Sequence, residues 1–161
     1  LDFEALRDSL VWASGRLDLT LGGRPVDLFK APFTTRRTVY GLIDRTNLPG
    51  VFRVFDVANP DTHSPQRFQT AVPQQALFLL NSPFVQEQAK ALATRKEVAQ
   101  AKTDADKVKV LYRLALSRNP TAAELELATA FVADSDPKSA FDCWAQLGQI
   151  LLLSNEFCFV D

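Results

Sequence analysis

Histidine is almost missing from this 161-residue chain, which holds only His63, and methionine is missing altogether. A hydrolytic zinc centre commonly draws on more than one histidine, so a zinc site of that kind has too few ligands here. A serine triad would have to use the sole imidazole, and no G-x-S-x-G elbow is present to carry the nucleophile. Cysteine is scarce too. Cys143 and Cys158 form no C-x-x-C and neither is followed by histidine, which excludes zinc knuckles, thioredoxin-type chemistry and covalent haem attachment in this chain. They suit two buried thiols, with a disulfide as the alternative if their Cα atoms approach within about 7 Å. No glycine-rich phosphate loop occurs, and no apolar run approaches the ~18 residues of a membrane span. Eighteen basic against nineteen acidic side chains give no electrostatic case for nucleic acid or an anionic membrane. Lysine is absent between residues 31 and 89, where every cation is an arginine: Arg36, Arg37, Arg45, Arg53 and Arg67. Guanidinium forks suit bidentate, partly buried pairing, for which lysine is a poor substitute. Asp44, Asp56 and Asp61 are the expected partners of some of them, and Arg36 and Arg37 the ones left free for an anionic ligand or a neighbouring domain.

What is present is mainly helical. At 47% hydrophobic the chain can fill one core. Phe3, Leu6, Leu10 and Ala13 share one helical face, which Gly15 ends. LDLTLGGRP reads as a short extended arm turning at Gly22 and Gly23. TTRRTVYGLIDRTNLPG fits either period and is expected as helix, ended by Asn47, Pro49 and Gly50. Pro73 opens a short helix, and Asn81 or Ser82 with Pro83 caps a longer one reaching about residue 100. Asp104 caps a third, with Val108, Leu111, Tyr112 and Ala115 inward; Thr121 and Glu124 form a capping box; Asp136-Pro137 opens the last helix. The expected architecture is a single helical domain over residues 1–161. Residues 1–72 supply one helix and a long irregular, proline-containing, arginine-rich segment, and 73–161 form a helical bundle. Eight basic residues in 90–118 precede a segment, 119–161, with one lysine and seven acids, so neighbouring helices should carry complementary faces. Phe78, Phe84, Tyr112, Phe131 and Trp144 are expected in the core rather than in a cofactor box. The opening LDFEALRDSL reads as a helix already under way, so the chain is expected to be a piece of a longer protein.

One stretch could carry chemistry. FDVANPDTHSPQRFQTAVPQQA contains Asp56, Asp61, His63 and Arg67, the only cluster that mixes imidazole, carboxylate and guanidinium. These four are the catalytic candidates: a proton relay, its orienting acids and an anion clamp. Asp56, Asn59 and Asp61 are the candidate oxygen ligands for a cation, without the glycine and terminal glutamate of an EF-hand loop. The bland alternative has Asp61, Thr62 and Ser64 building turns beside Pro60 and Pro65, with His63 exposed or hydrogen-bonded.

The order RRTVYGLIDR, then Phe55-Asp56, then the R-x-x-T-x-x-P-x-Q-A-L run from Arg67 to Leu77, then LLNSPF and SNEFCFVD resembles the planctomycete PSD-type domain, domain of unknown function 1553. EALRDSL, SGRLDLTLGG and LALSRNPTAAE fit it as well. The resemblance implies the C-terminal part of a large exported or periplasmic protein whose haem c lies only in an upstream cytochrome-like domain. It supplies no catalytic residue. Gln66-Arg67 stands where the family pattern has two arginines, and no fixed histidine corresponds to His63, which points to a structural ion pair between Asp56 and Arg67. The leading expectation is therefore an accessory or interaction domain without catalysis or cofactor of its own. Its loops from 31 to 72 would face the upstream domains of the same polypeptide or another protein. Two other classes stay open: an extracellular hydrolase or oxidoreductase using the 55–67 loop, and a cation- or carbohydrate-binding module with Trp12 and Tyr40 as stacking platforms.

Overall fold

The computed structural model describes residues 1–68, 70–135 and 141–159. Among them lie nine α-helices and no strand: α1 (Phe3–Ala13), α2 (Gly50–Val54), α3 (Pro73–Asn81), α4 (Pro83–Ala93), α5 (Lys96–Ala99), α6 (Asp104–Leu116), α7 (Ala122–Ala133), α8 (Cys143–Leu152) and α9 (Asn155–Cys158). The chain is mainly α, as its periodicity predicts.

The main core is built where α4 crosses α8, with α1, α6 and α7 around them. Val85, Ala89 and Leu92 of α4, Val108 and Leu111 of α6, and Leu147, Leu151 and Leu152 of α8 are buried in it. Gly148 sets how close α4 and α8 come, because a Cβ there would meet the Ala89 carbonyl oxygen at 3.2 Å. A second, smaller core joins α1 to the irregular segment through Phe3, Leu28 and Phe52, with Phe3 and Phe29 edge-on or stacked against their aromatic neighbours. Phe55 packs against both cores and links them.

Several ends follow the sequence closely. α1 stops at Ala13 with Gly15 at φ +75°, and the Arg95 guanidinium donates to the Ala13 carbonyl at 3.0 Å, closing that helix end from α5's side. Thr121 and Glu124 form the expected capping box, with Thr121 N donating to Glu124 Oε2 at 2.7 Å. Both cysteines are free thiols. Other expectations are corrected. The segment from Thr34 to Gly50 is not a helix; it contains one 3₁₀ turn, Thr38–Tyr40, between isolated parallel bridges Asp18–Arg36 and Val26–Gly41. Its backbone is held from outside: Asp8 accepts from Thr38 N at 2.7 Å, and Arg7 donates to the carbonyls of Thr34 and Arg36. Gly50 opens α2 rather than ending a helix. The helix expected from 83 to about 100 breaks at Thr94-Arg95, where Thr94 Oγ1 bonds back to the Lys90 carbonyl at 2.9 Å and Arg95 is extended. Thr103, not Asp104, caps α6, accepting from Asp106 N at 3.1 Å. Asp136-Pro137 lie outside the described residues; α8 begins at Cys143, capped by Asp142. Phe131 is partly exposed on α7, unlike Phe84 and Tyr112, which are buried.

The charge asymmetry resolves into one hub. Arg118 grips Glu124 of α7 and Glu156 of α9 at 2.6–2.8 Å, so the basic end of α6 does meet acids of the following helices. Its hydrogen bonds hold Glu124 down to about 2 and also lower Glu156.

Candidate functional site

The 55–76 stretch leaves α2 through Asp56, which adopts φ +53°, an unusual conformation for a non-glycine residue. The turn aims its carboxylate across the base of the loop, where it accepts from Thr70 N at 2.8 Å and Thr70 Oγ1 at 2.6 Å. Gln75, in the first turn of α3, reinforces the closure by donating to the carbonyls of Val54 at 2.9 Å and Thr70 at 3.0 Å. Arg67 faces the other way, toward α1, and forms a fork with Glu4 whose two bonds are each 2.8 Å. This lowers the Glu4 pKa and raises that of Arg67, each chiefly through the shared hydrogen bonds. The expected Asp56–Arg67 pair is therefore replaced by two separate clasps, because the carboxylate nearest Arg67 comes from another element.

The tip between these clasps is a chain of turns. Asn59 Oδ1 accepts from Asp61 N at 3.0 Å, and Ser64 Oγ donates to the Gln66 carbonyl at 2.9 Å. His63 and Asp61 are exposed. Of the four catalytic candidates only Asp56 lines either of the two cavities described here, the larger one of about 720 Å³ between this loop and the residues around α9. Among the described residues no three His, Cys, Asp or Glu side chains lie close enough together to hold a metal ion.

The arginines divide differently from expectation. Arg36 lies over the Tyr40 ring at 4.2 Å and donates to the carbonyls of Thr20 and Gly22; Arg37 donates to Asp8 at 3.2 Å. Both are taken up by the chain's own groups. Tyr40 is no open platform either, since Arg36 covers its ring and its hydroxyl accepts from Gly22 N. Trp12 is 63% exposed. Asp44 spends its carboxylate on Thr46 rather than on an arginine. Arg45 and Arg53 are exposed and form no salt bridge among the described residues.

The residue that sequence reasoning missed is Arg7. It sits on the apolar face of α1 between Phe3 and Leu10, is 3% exposed, and donates to Thr34 O at 2.6 Å, Arg36 O at 3.0 Å and Thr38 Oγ1 at 3.2 Å. Its guanidinium lies 5.0 Å from the Phe84 ring centre. A cation in the middle of an i, i+4, i+7 apolar stripe was the available signal. Arg7 also lines the smaller cavity, about 230 Å³, whose walls are otherwise almost wholly apolar.

Placed on the fold, the quoted motifs are brackets. Arg67, Thr70, Pro73 and Gln75 close the loop, RRTVYG seats the 3₁₀ turn, and Arg118 and Glu156 join SRNPTAAE to SNEF. Residues 1–132 match the model of the family PSD1, Protein of unknown function (DUF1553), and the chain belongs to that family. The SNEFCFVD end lies beyond the matched residues. No curated protein and no solved structure matches the chain.

Proposed function

We propose that this chain is a non-catalytic interaction domain that docks onto the upstream domains of its own polypeptide through the loop face at residues 39–53. One observation carries the reading. Val39, Leu42 and Ile43 are 68%, 51% and 44% exposed, and two exposed arginines without a salt bridge among the described residues, Arg45 and Arg53, belong to the same stretch. Apolar side chains beside uncommitted guanidinium groups suit a partner surface that is apolar at its centre and acidic at its rim. The chemistry of the 55–67 loop supports the enzyme and cation-binding readings less well, because Asp56 and Arg67 are each engaged by another side chain and Asn59 closes a turn. In the finer form of the proposal the parent is an exported, cytochrome c-linked protein, with haem c held upstream. That part rests on the family resemblance alone, and a haem absorption band in the purified parent tests it.

The docking face is tested on the whole polypeptide by hydrogen exchange. Backbone amides of 39–47 exchange slowly in the intact parent, and the double charge reversal Arg45→Glu, Arg53→Glu speeds them at least tenfold while exchange in α4 and α8 is unchanged. Fast exchange of 39–47 in the unaltered parent would overturn the docking reading, whatever its haem content.

A further inference from the structure

The smaller cavity holds an arrangement that the docking reading does not use. Arg7 is almost fully buried, and its Nε–H has no acceptor although both terminal nitrogens are satisfied. A buried donor without a partner is destabilising, so an oxygen from outside the chain is the natural complement. The local charge is also unbalanced. Asp8 is the one carboxylate paired with Arg7 among the described residues, at 3.9 Å, and it is shared with Arg37 and with both donors of Thr38. Among the described residues no carboxylate lines the cavity itself. Ser82, the N-cap of the eleven-residue helix α4, and Pro83 and Phe84, its first residues, do line it. The Ser82 hydroxyl caps nothing, and the first bond of that helix comes only at Gln86 N to Ser82 O, 3.1 Å, so the amides of Phe84 and Val85 precede it. The rest of the wall is leucine and phenylalanine.

We infer that this cavity is a binding site for a small apolar monocarboxylate, with the carboxylate against Arg7 Nε–H and the start of α4 and the hydrocarbon body among the phenylalanines. Size agrees: a cavity of about 150 Å³ is enough for benzene, and this one is about 230 Å³. A guanidinium and a helix N-terminus both favour an anion, and the apolar walls favour a body without further polar groups.

Three probes of one shape separate the contributions: phenylacetate, phenylacetamide and phenethylammonium, titrated into the unaltered protein by NMR. Ligands rather than an Arg7 variant carry the test, since Arg7 also holds the irregular segment in place. Phenylacetate is expected to shift the Arg7 Nε–H resonance and the methyls of Leu10, Leu28 and Leu79 saturably. Phenylacetamide is expected to bind at least tenfold more weakly and phenethylammonium to cause no shift. Equal binding of acid and amide would overturn the carboxylate assignment. No shift with any probe at millimolar concentration, or a crystal grown with phenylacetate showing only a water on Arg7 Nε, would overturn the site.

Discussion

The helical half from Pro73 onward and the irregular half from Ser14 to Val72 are held by different forces. In the first, backbone groups are satisfied within the helices, and what joins the helices is apolar burial: Val85, Leu92, Val108, Leu111 and Leu152 are completely covered. In the second, among the described residues, there is no long helix and no sheet to absorb the backbone polar groups, so a few isolated backbone bonds are supplemented by side chains from elsewhere. Glu4, Arg7 and Asp8, one turn of α1, reach Arg67, Thr34, Arg36, Arg37 and Thr38. The difference explains the composition of the segment. A carbonyl-rich loop needs forked, persistent donors, and arginine provides two or more where lysine provides one mobile point charge.

The largest expected effect breaks the first half. Leu92→Ala removes a wholly buried side chain at the α4–α8 crossing and should cost about 4 kcal/mol, in the usual range for such cavities. Chemical denaturation checks it, and the loss should appear in every probe, since this core is the one α1, α4, α6 and α8 share. A smaller and more local effect should follow from Arg7→Lys. The lysine cannot serve Thr34 O, Arg36 O and Thr38 Oγ1 together, and leaving one or two buried acceptors unpaired costs about 3 kcal/mol. Amide exchange should rise in residues 18–41 before α4 or α8 is affected. If both variants instead loosen α8 equally, the two halves are one cooperative unit and the contrast fails.

That contrast also marks what the sequence could disclose. α1 and α6 were legible from apolar residues recurring on one face, and α3, α4 and α7 from the start signals at Pro73, Pro83 and the Thr121–Glu124 box. α2, α5 and α9 are four or five residues long, too short for a period to show, and tertiary contacts decide them. The helix expected around Val39 failed for the same reason in reverse: its period was ambiguous, and Arg7 and Asp8 settled the matter from a distance in sequence. For the candidate site residues the sequence did not disclose the partners. Asp56 is bonded to Thr70, and Arg67 finds Glu4 across 63 positions, a pairing that no local spacing encodes. Arg7 was missed although it was readable, since a charge on an apolar stripe signals itself.

The smallest expected effect sharpens the comparison from the helical side, where one polar hub does matter. Hydrogen bonds from Arg118 hold Glu124 down from the ordinary 4.5 to about 2, with backbone donation from Thr121 adding to the shift. The same guanidinium lowers Glu156. A carboxylate whose folded value lies below its unfolded one contributes stability that is complete above the unfolded value and is lost as pH falls through the folded one. The window is therefore from about pH 4.5 down to about pH 2. Arg118 and Glu124 are each about one-third exposed and Glu156 is exposed, so the effect is modest and should shrink with added salt. Thermal melts across that window should show a falling midpoint, and Glu124→Gln should flatten the fall while lowering the midpoint at neutral pH. Glu4 is also lowered, chiefly by its fork with Arg67, so the two clasps have to be told apart by where the chain opens. Acid acting through Glu124 should free α9 from the α6–α7 turn. Acid acting through Glu4 should free the 55–70 loop and leave α9 in place.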